Sequence, residues 1–216
     1  MVLSLFAADP RPARADASGT LTDALSVRSL TAAEASLRRP VRLRAVVTYY
    51  DPDRGHFFVQ DHTAGINVVL STWPAFQLGD EIEIVGTTDP GHFAPRVDGT
   101  SVRLLRHGTP PPARPVEVTR MVTGHEDSQL VEIRAIVRAV YPLVVYGKAG
   151  ARLFADVVSN GVRIPLLFAG PWQGPPPRHL VDAEVRITAV GGAQFGANRQ
   201  LIGVVLYVPS PDHLVV

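Results

Sequence analysis

The chain repeats itself, and the repeat restricts its fold more than any other feature. "VRLRAVVTYY" (Val41 to Tyr50) resembles "VEIRAIVRAVY" (Val131 to Tyr141), with Arg44-Ala45-Val46-Val47 matching Arg134-Ala135-Ile136-Val137. "GDEIEIVG" (Gly79 to Gly86) resembles "DAEVRITAVGG" (Asp182 to Gly192), and "GHFAPRV" (Gly91 to Val97) stands where "AQFGANRQL" (Ala193 to Leu201) stands in the second copy. Trp73 and Trp172 each lie beside a proline in the connection before the Gly79 and Asp182 segments. A period of about 90 to 100 residues is too long for a solenoid and means two copies of one small domain. Between them lies "HGTPPPARPV" (His107 to Val116), whose prolines favour an extended, semi-rigid spacer. The expected division is a leader over 1–20, a first domain over 21–107, a linker over 108–115 and a second domain over 116–216.

Within each copy the apolar period is two, the period of strands. Val41, Leu43, Ala45 and Val47 alternate with Arg42, Arg44, Val46 and Thr48. "DPDRG" (Asp51 to Gly55) is a turn by its Pro and Gly. Four more strands follow, at Phe57 to Asp61, Gly65 to Leu70, Glu81 to Gly86 and Ser101 to Leu105. The second copy gives Val131 to Tyr141, Leu153 to Val158, Val162 to Phe168, Glu184 to Val190 and Leu201 to Val208. A short helical signal precedes each copy: Thr31 and Glu34 in capping-box spacing, and "VTRMVTG" ending at Gly124. Five short antiparallel strands per copy argue for a small closed barrel. The fold class is therefore all-β, two tandem five-stranded OB-fold-like Greek-key barrels with short helices.

Composition narrows the function. Hydrophobic residues make up 46% and charged ones 19%, enough for packed cores. With no cysteine, disulfides, thiolate metal sites and cysteine nucleophiles are excluded. Net charge is +1, so no general field draws in polyanions. Residues 39–107 carry seven arginines against eight carboxylates, and residues 116–208 nine basic residues against seven acidic. Neither copy reads as a basic stripe, which makes nucleic acid an unlikely partner. No run reaches the roughly 20 apolar residues of a membrane span. Val2 to Ala8 followed by "ARADA" has the look of a signal-peptide remnant, hence the leader.

The aromatic pairs Tyr49-Tyr50 and Phe57-Phe58 are the leading site candidates. Neighbours on a strand point to opposite faces, so one of each pair is core and the other is exposed or covered by the neighbouring domain. OB barrels take ligands on the face of strands two and three. Any groove there is expected to use Tyr50, Phe57, Trp73, Phe93 and Arg96. Asp51, Asp53, His56, Asp61 and His62 are close in sequence, but they fit turn chemistry better than a metal site. "GHEDSQ" (Gly124 to Gln129) gathers His, Glu, Asp and Ser, yet triads assemble from distant segments, so a polar loop is expected. "GGAQFGANRQ" lacks the helix a phosphate cradle needs and reads as a connecting loop. The two tryptophans are expected to plug the barrel bottoms.

As a set, "RLRAVVTYYDPDRGHFFVQDHTAGINVVL", "GDEIEIVGTTDPGHFAPRV", "EDSQLVEIRAIVRAV" and "RQLIGVVLYVPS" resemble the tandem OB-like extracytoplasmic region of bacterial two-component sensor histidine kinases. The resemblance covers about residues 22 to 213. It implies a periplasmic, non-catalytic sensory module that binds a small ligand, glycan or protein. No cofactor, metal or catalytic residue is expected, and membrane contact only through an adjacent segment. The alternative from the residues themselves is a single-stranded nucleic-acid-binding tandem OB protein.

Overall fold

Alternation along each strand decides which side chains enter a core, and two cores result. The computed structural model describes residues 16, 19–92, 94–144, 150–195 and 201–216. Nearly all of the expected leader lies outside these residues, as do Phe93 and residues 196–200 of the glycine-rich segment. Strands β1 (Pro40–Asp51), β2 (His56–Gln60), β3 (Gly65–Leu70), β4 (Glu81–Asp89) and β5 (Arg96–Arg106) form a closed barrel in the order β1-β2-β3-β5-β4. After β6 (Arg114–Pro115), strands β7 (Leu130–Val144), β8 (Ala151–Ser159), β9 (Val162–Phe168), β10 (Glu184–Phe195) and β11 (Leu201–Val208) repeat that order, and β10 closes onto β7. β6 and a last short strand, β12 (Leu214–Val215), extend this second sheet. The fold is all-β, two OB-like barrels.

Two differences from expectation have plain causes. The pairs β3–β5 and β9–β11 are parallel, because the chain crosses the barrel end between strands three and four before strand five returns. Arg114 and Pro115, expected in the spacer, pair with Val131 and Glu132 and so belong to the second sheet. Short helices α1 (Ala24–Arg28), α2 (Ala32–Ala35) and α3 (Val118–Met121) precede the barrels. The Thr31–Glu34 capping box is formed, and Gly124, at φ 79°, ends the turn after α3.

The duplication extends to backbone detail. In β1 a bulge lies between Val47 and Tyr49, and in β7 one lies between Val137 and Ala139. Val47 N–H donates to the Asp80 carbonyl at 2.8 Å, and the Val47 carbonyl accepts from Gly79 N–H at 2.9 Å. Val137 does the same with Ala183 and Asp182, at 3.0 and 2.8 Å. The turn forces positive φ at this position, 91° at Gly79 and 64° at Asp182. Glycine relieves that strain in the first copy, and aspartate tolerates it in the second.

The barrels share a buried seam. Tyr49 and Phe58 leave the first barrel and pack on Leu130, Val190 and Tyr207 of the second. The Arg152 guanidinium, fully buried, reaches Asp51 at 3.5 Å and also pairs with Asp53. Gln129 clasps Gly65, its Oε1 accepting from Gly65 N–H at 3.0 Å and its Nε2 donating to the Gly65 carbonyl at 3.2 Å. A Cβ on Gly65 would stand 1.9 Å from the Ser128 carbonyl oxygen.

Two substitutions test the seam. Arg152→Ala leaves the Asp51 carboxylate with Arg54 alone, at 3.9 Å, and is expected to cost up to about 3–5 kcal/mol in urea unfolding. Gly65→Ala must push the clasp apart, at about 1–3 kcal/mol. Unfolding curves unchanged in both would show that the seam contributes nothing to stability.

Candidate functional site

A bulge decides where the aromatic pairs point. An extra residue reverses the in–out parity of the strand beyond it. Tyr50 therefore turns in beside its cross-strand partner Phe57, and Tyr49 turns out beside Phe58. Tyr50, Phe57, Trp73 and Phe76 form one cluster under the first barrel, with ring centroids 5.3 to 6.3 Å apart. Phe57 is fully buried there, and the Tyr50 hydroxyl donates to the Pro74 carbonyl. Trp73 packs half-buried on the same core, as Trp172 does on the other.

Of the expected groove residues that are described, Tyr50, Phe57 and Trp73 come together inside the barrel end and Arg96 does not join them. Phe57 is core, and Tyr50 and Trp73 lie with it at the barrel end. Arg96 stands apart, on another wall, with its Nε donating to Asp89 at 2.7 Å. Phe93 is outside the described residues. The acidic turn also differs from expectation: Asp51 and Asp53 face Arg152 rather than capping backbone. Asp61 does cap, accepting from Thr63 and Ala64 N–H at 2.7 and 2.9 Å.

One recess lies where an OB barrel takes ligands, on the outer face of strands two and three. It has a volume of about 320 Å3. His56 and Phe58 of β2, Asn67 of β3, Pro95, and Arg96 at the start of β5 form one side. Ser128, Gly192 and Tyr207 of the second barrel form the other. Its floor is aromatic: Tyr207 lies 4.8 Å from the His56 ring and 4.9 Å from Phe58. Burial, and secondarily the Arg54 charge, pushes the His56 imidazole down to about 4. Burial raises the Tyr207 phenol to about 12. Both rings are therefore uncharged near neutral pH and offer faces rather than charges.

At Ala94 and Pro95 the cleft opens into a trough of about 580 Å3. Arg28, Arg114 and Arg120 line it, with His125 and Gln129. "GHEDSQ" sits at its base. Glu126 is buried and holds Arg114 and, at 3.3 Å, Arg120. Asp127 accepts from Ala193 N–H at 3.0 Å and pairs with Arg28 at 3.6 Å. That segment is a polar loop joining the barrels. The Arg114 and Arg120 side chains remain 56% and 64% exposed, which leaves them accessible to a ligand.

Sequence reasoning missed most of this site. Arg114 lay in the presumed spacer. Tyr207 sits in an unremarkable apolar strand, and its place opposite His56 depends on how the barrels dock. The available signal was only that each aromatic pair must send one ring out of the barrel.

No family model matches the chain, and no curated protein does. Solved structures of similar fold include the HINa domain of Ifi202 in complex with 20-base-pair double-stranded DNA (TM-score 0.34, 10% identity, 82% of this chain and 94% of that chain). A murine DNA-binding protein bound with double-stranded DNA gives 0.35, 12% identity, and 77% and 92% coverage. A replication protein A heterotrimer bound to single-stranded DNA gives 0.32, 11% identity, and 79% and 47% coverage. The HIN2 domain of p202 and the HINb domain of p204 are also similar in fold, and none of these structures is a histidine-kinase sensor region. The expectation of a periplasmic two-component sensory module, with nucleic acid an unlikely partner, is corrected accordingly.

His56 gives the cleft a pH signature. Its folded value, about 4, lies below its ordinary 6.5, so protonation favours the unfolded chain. The contribution is full above about pH 6.5 and is lost as the pH falls toward about 4, by up to about 3 kcal/mol. His56→Gln is expected to flatten the difference between urea midpoints at about pH 7 and about pH 4.5. An equal difference in both proteins would rule out His56 as its source.

Proposed function

We propose that the chain binds single-stranded nucleic acid along the cleft and trough between its two barrels. The observation that carries this reading is the continuity of an aromatic floor, at the OB ligand face, with an arginine-lined trough. Proteins that hold single strands pair those two features: rings stack on bases, and a cationic groove tracks the backbone. A base entering the cleft meets Tyr207 and His56. The backbone then runs past Arg96 toward Arg114 and Arg120. The recesses are of nucleotide size, whereas a duplex would be too broad to enter. Arginine forks suit phosphate oxygens, and here they are held in place by Glu126 and Asp89. Those carboxylates also offset the guanidinium charge, so binding is expected to be weak.

The test is fluorescence anisotropy with a labelled oligothymidylate. Three phosphate contacts at about 0.7 each predict about a 20-fold loss of affinity between about 50 and 200 mM salt. Arg96→Ala and Arg120→Ala, made singly so that Glu126 keeps Arg114, should each weaken binding several-fold and lower the salt slope by about 0.7. Binding without salt dependence, or unchanged by both variants, would sink the groove assignment.

A further inference from the structure

The first barrel carries fewer basic than acidic residues, yet its charges are segregated. Six of its eight carboxylates are already engaged outside one arginine cluster. Asp51 and Asp53 hold Arg152, Asp61 and Asp80 accept from turn backbone, and Asp89 and Asp98 pair with Arg96 and Arg38. The remaining two, Glu81 and Glu83, lie on the outer face of β1, β4 and β5. Strand alternation and register bring four arginines to them: Arg42 and Arg44 from β1, and Arg103 and Arg106 from β5. Glu83 receives three guanidiniums, from Arg103 at 3.0 Å, Arg42 at 3.1 Å and Arg44 at 3.3 Å, and Glu81 receives Arg106 at 2.5 Å. Those four side chains are 59 to 75% exposed. The Arg103 hydrogen bond, with those of Arg42 and Arg44, holds the Glu83 carboxyl down at about 2, so the cluster keeps its charges across the working pH range.

The second barrel is a built-in contrast. Register places Arg134 opposite Arg186 where the first barrel has Arg44 opposite Glu83. Glu132 and Glu184 share that face, so its charges balance, and the neighbour beyond Arg186 is Val215 rather than an arginine. The surplus is a property of the first barrel, not of the fold.

We infer that this arginine face is a second contact surface for a nucleic-acid backbone, so that one molecule holds two strand segments on opposite sides of its first barrel; the inference rests on the nucleic-acid reading of the groove. In the strand order, β4 and its neighbours lie across the barrel from the β2–β3 cleft. Arg42 and Arg44 repeat at about 7 Å along one strand, on the order of the separation of successive phosphates. Glu83 orders three forks on one carboxylate and leaves their outer N–H groups to solvent, which lessens the ordering cost of binding. A repeating phosphodiester is the polyanion that matches a row of exposed forks.

The test uses four proteins: wild type, a groove variant (Arg96→Ala with Arg120→Ala), a face variant (Arg44→Ala with Arg103→Ala) and their combination. Glu83 keeps Arg42 in the face variant, and unfolding curves confirm that each protein folds. The probe is an oligothymidylate of about 30 nucleotides, labelled with donor in one pool and acceptor in another. Wild type should bring the two labels together, with energy transfer rising and then falling as protein exceeds oligonucleotide. The face variant should lose that transfer while its anisotropy titration with one oligonucleotide changes less than about twofold. The groove variant should retain weaker, salt-sensitive binding that the combined variant lacks.

Energy transfer unchanged in the face variant would overturn the second surface and leave the groove reading standing. Binding lost in the face variant but unchanged in the groove variant would overturn the groove reading and place the strand on the face. Absence of binding by wild type would overturn both. If polyglutamate competes with the oligonucleotide on the groove variant equally well per charge, the face takes acidic polypeptide and the phosphodiester assignment falls.

Discussion

A guanidinium sealed from solvent holds the two barrels in one relation. Arg152 leaves β8 and ends between Asp51 and Asp53, in the turn after β1. A charge buried in that way is tolerated only with its partners in place, so the turn cannot drift from the second barrel. Burial raises the Asp51 carboxyl above its ordinary value even though Arg152 and Arg54 draw it the other way. The same turn lays Arg54 over the Phe154 ring at 4.8 Å and helps close Tyr49 and Phe58 against Tyr207. The Gln129 clasp pins the β2–β3 edge. Ion pair, aromatic patch and clasp lie along one seam, and the cleft and trough are the space it leaves open. Their walls come from both barrels, so the site exists only while the seam does.

The duplication fixes backbone and frees side chains. Bulge, turn and the paired bonds on Val47 and Val137 recur because the barrel corner needs them. Outward positions are under no such demand, and there the copies diverge. Arg152 points outward from β8 into the seam. Tyr49 and Phe58, outward in the first barrel, meet it from the other side. The first barrel thus turns part of its β2–β3 face toward β7, β10 and β11 of the second, and the usual ligand surface of an OB barrel is partly covered by its neighbour.

All ten barrel strands were legible in the sequence, because a period of two is enforced by burial on one side. So were the Thr31 cap and the role of Asp61, which depend on neighbours a few residues away. The site was not legible, for two physical reasons. The bulge after Val47 reversed the parity of Tyr49 and Tyr50, and a bulge leaves no composition signal. The second reason is that His56, Arg114 and Tyr207 meet only through docking, which no local pattern encodes. Arg114 read as spacer because two prolines flank "AR" there, yet it ends on Glu126. The tryptophans were placed correctly because barrel-end packing needs only an apolar ring in the connecting loop.

Charge counts mislead in a protein built this way, and the reason is general. A carboxylate used to cap a turn or hold a buried arginine contributes little field at the surface, since its charge is met locally. In the first barrel most aspartates are spent on such duties, and both glutamates lie among arginines on one sheet face. Aspartate suits turns because its short side chain reaches nearby backbone N–H groups. Glutamate and arginine suit strands, where longer side chains can pair across neighbours. The aspartates are thus met by turn backbone or by arginines elsewhere, while four exposed arginines gather around two glutamates, so a near-neutral sequence still presents one arginine-rich sheet face. What a polyanion meets is set by that arrangement and not by the total.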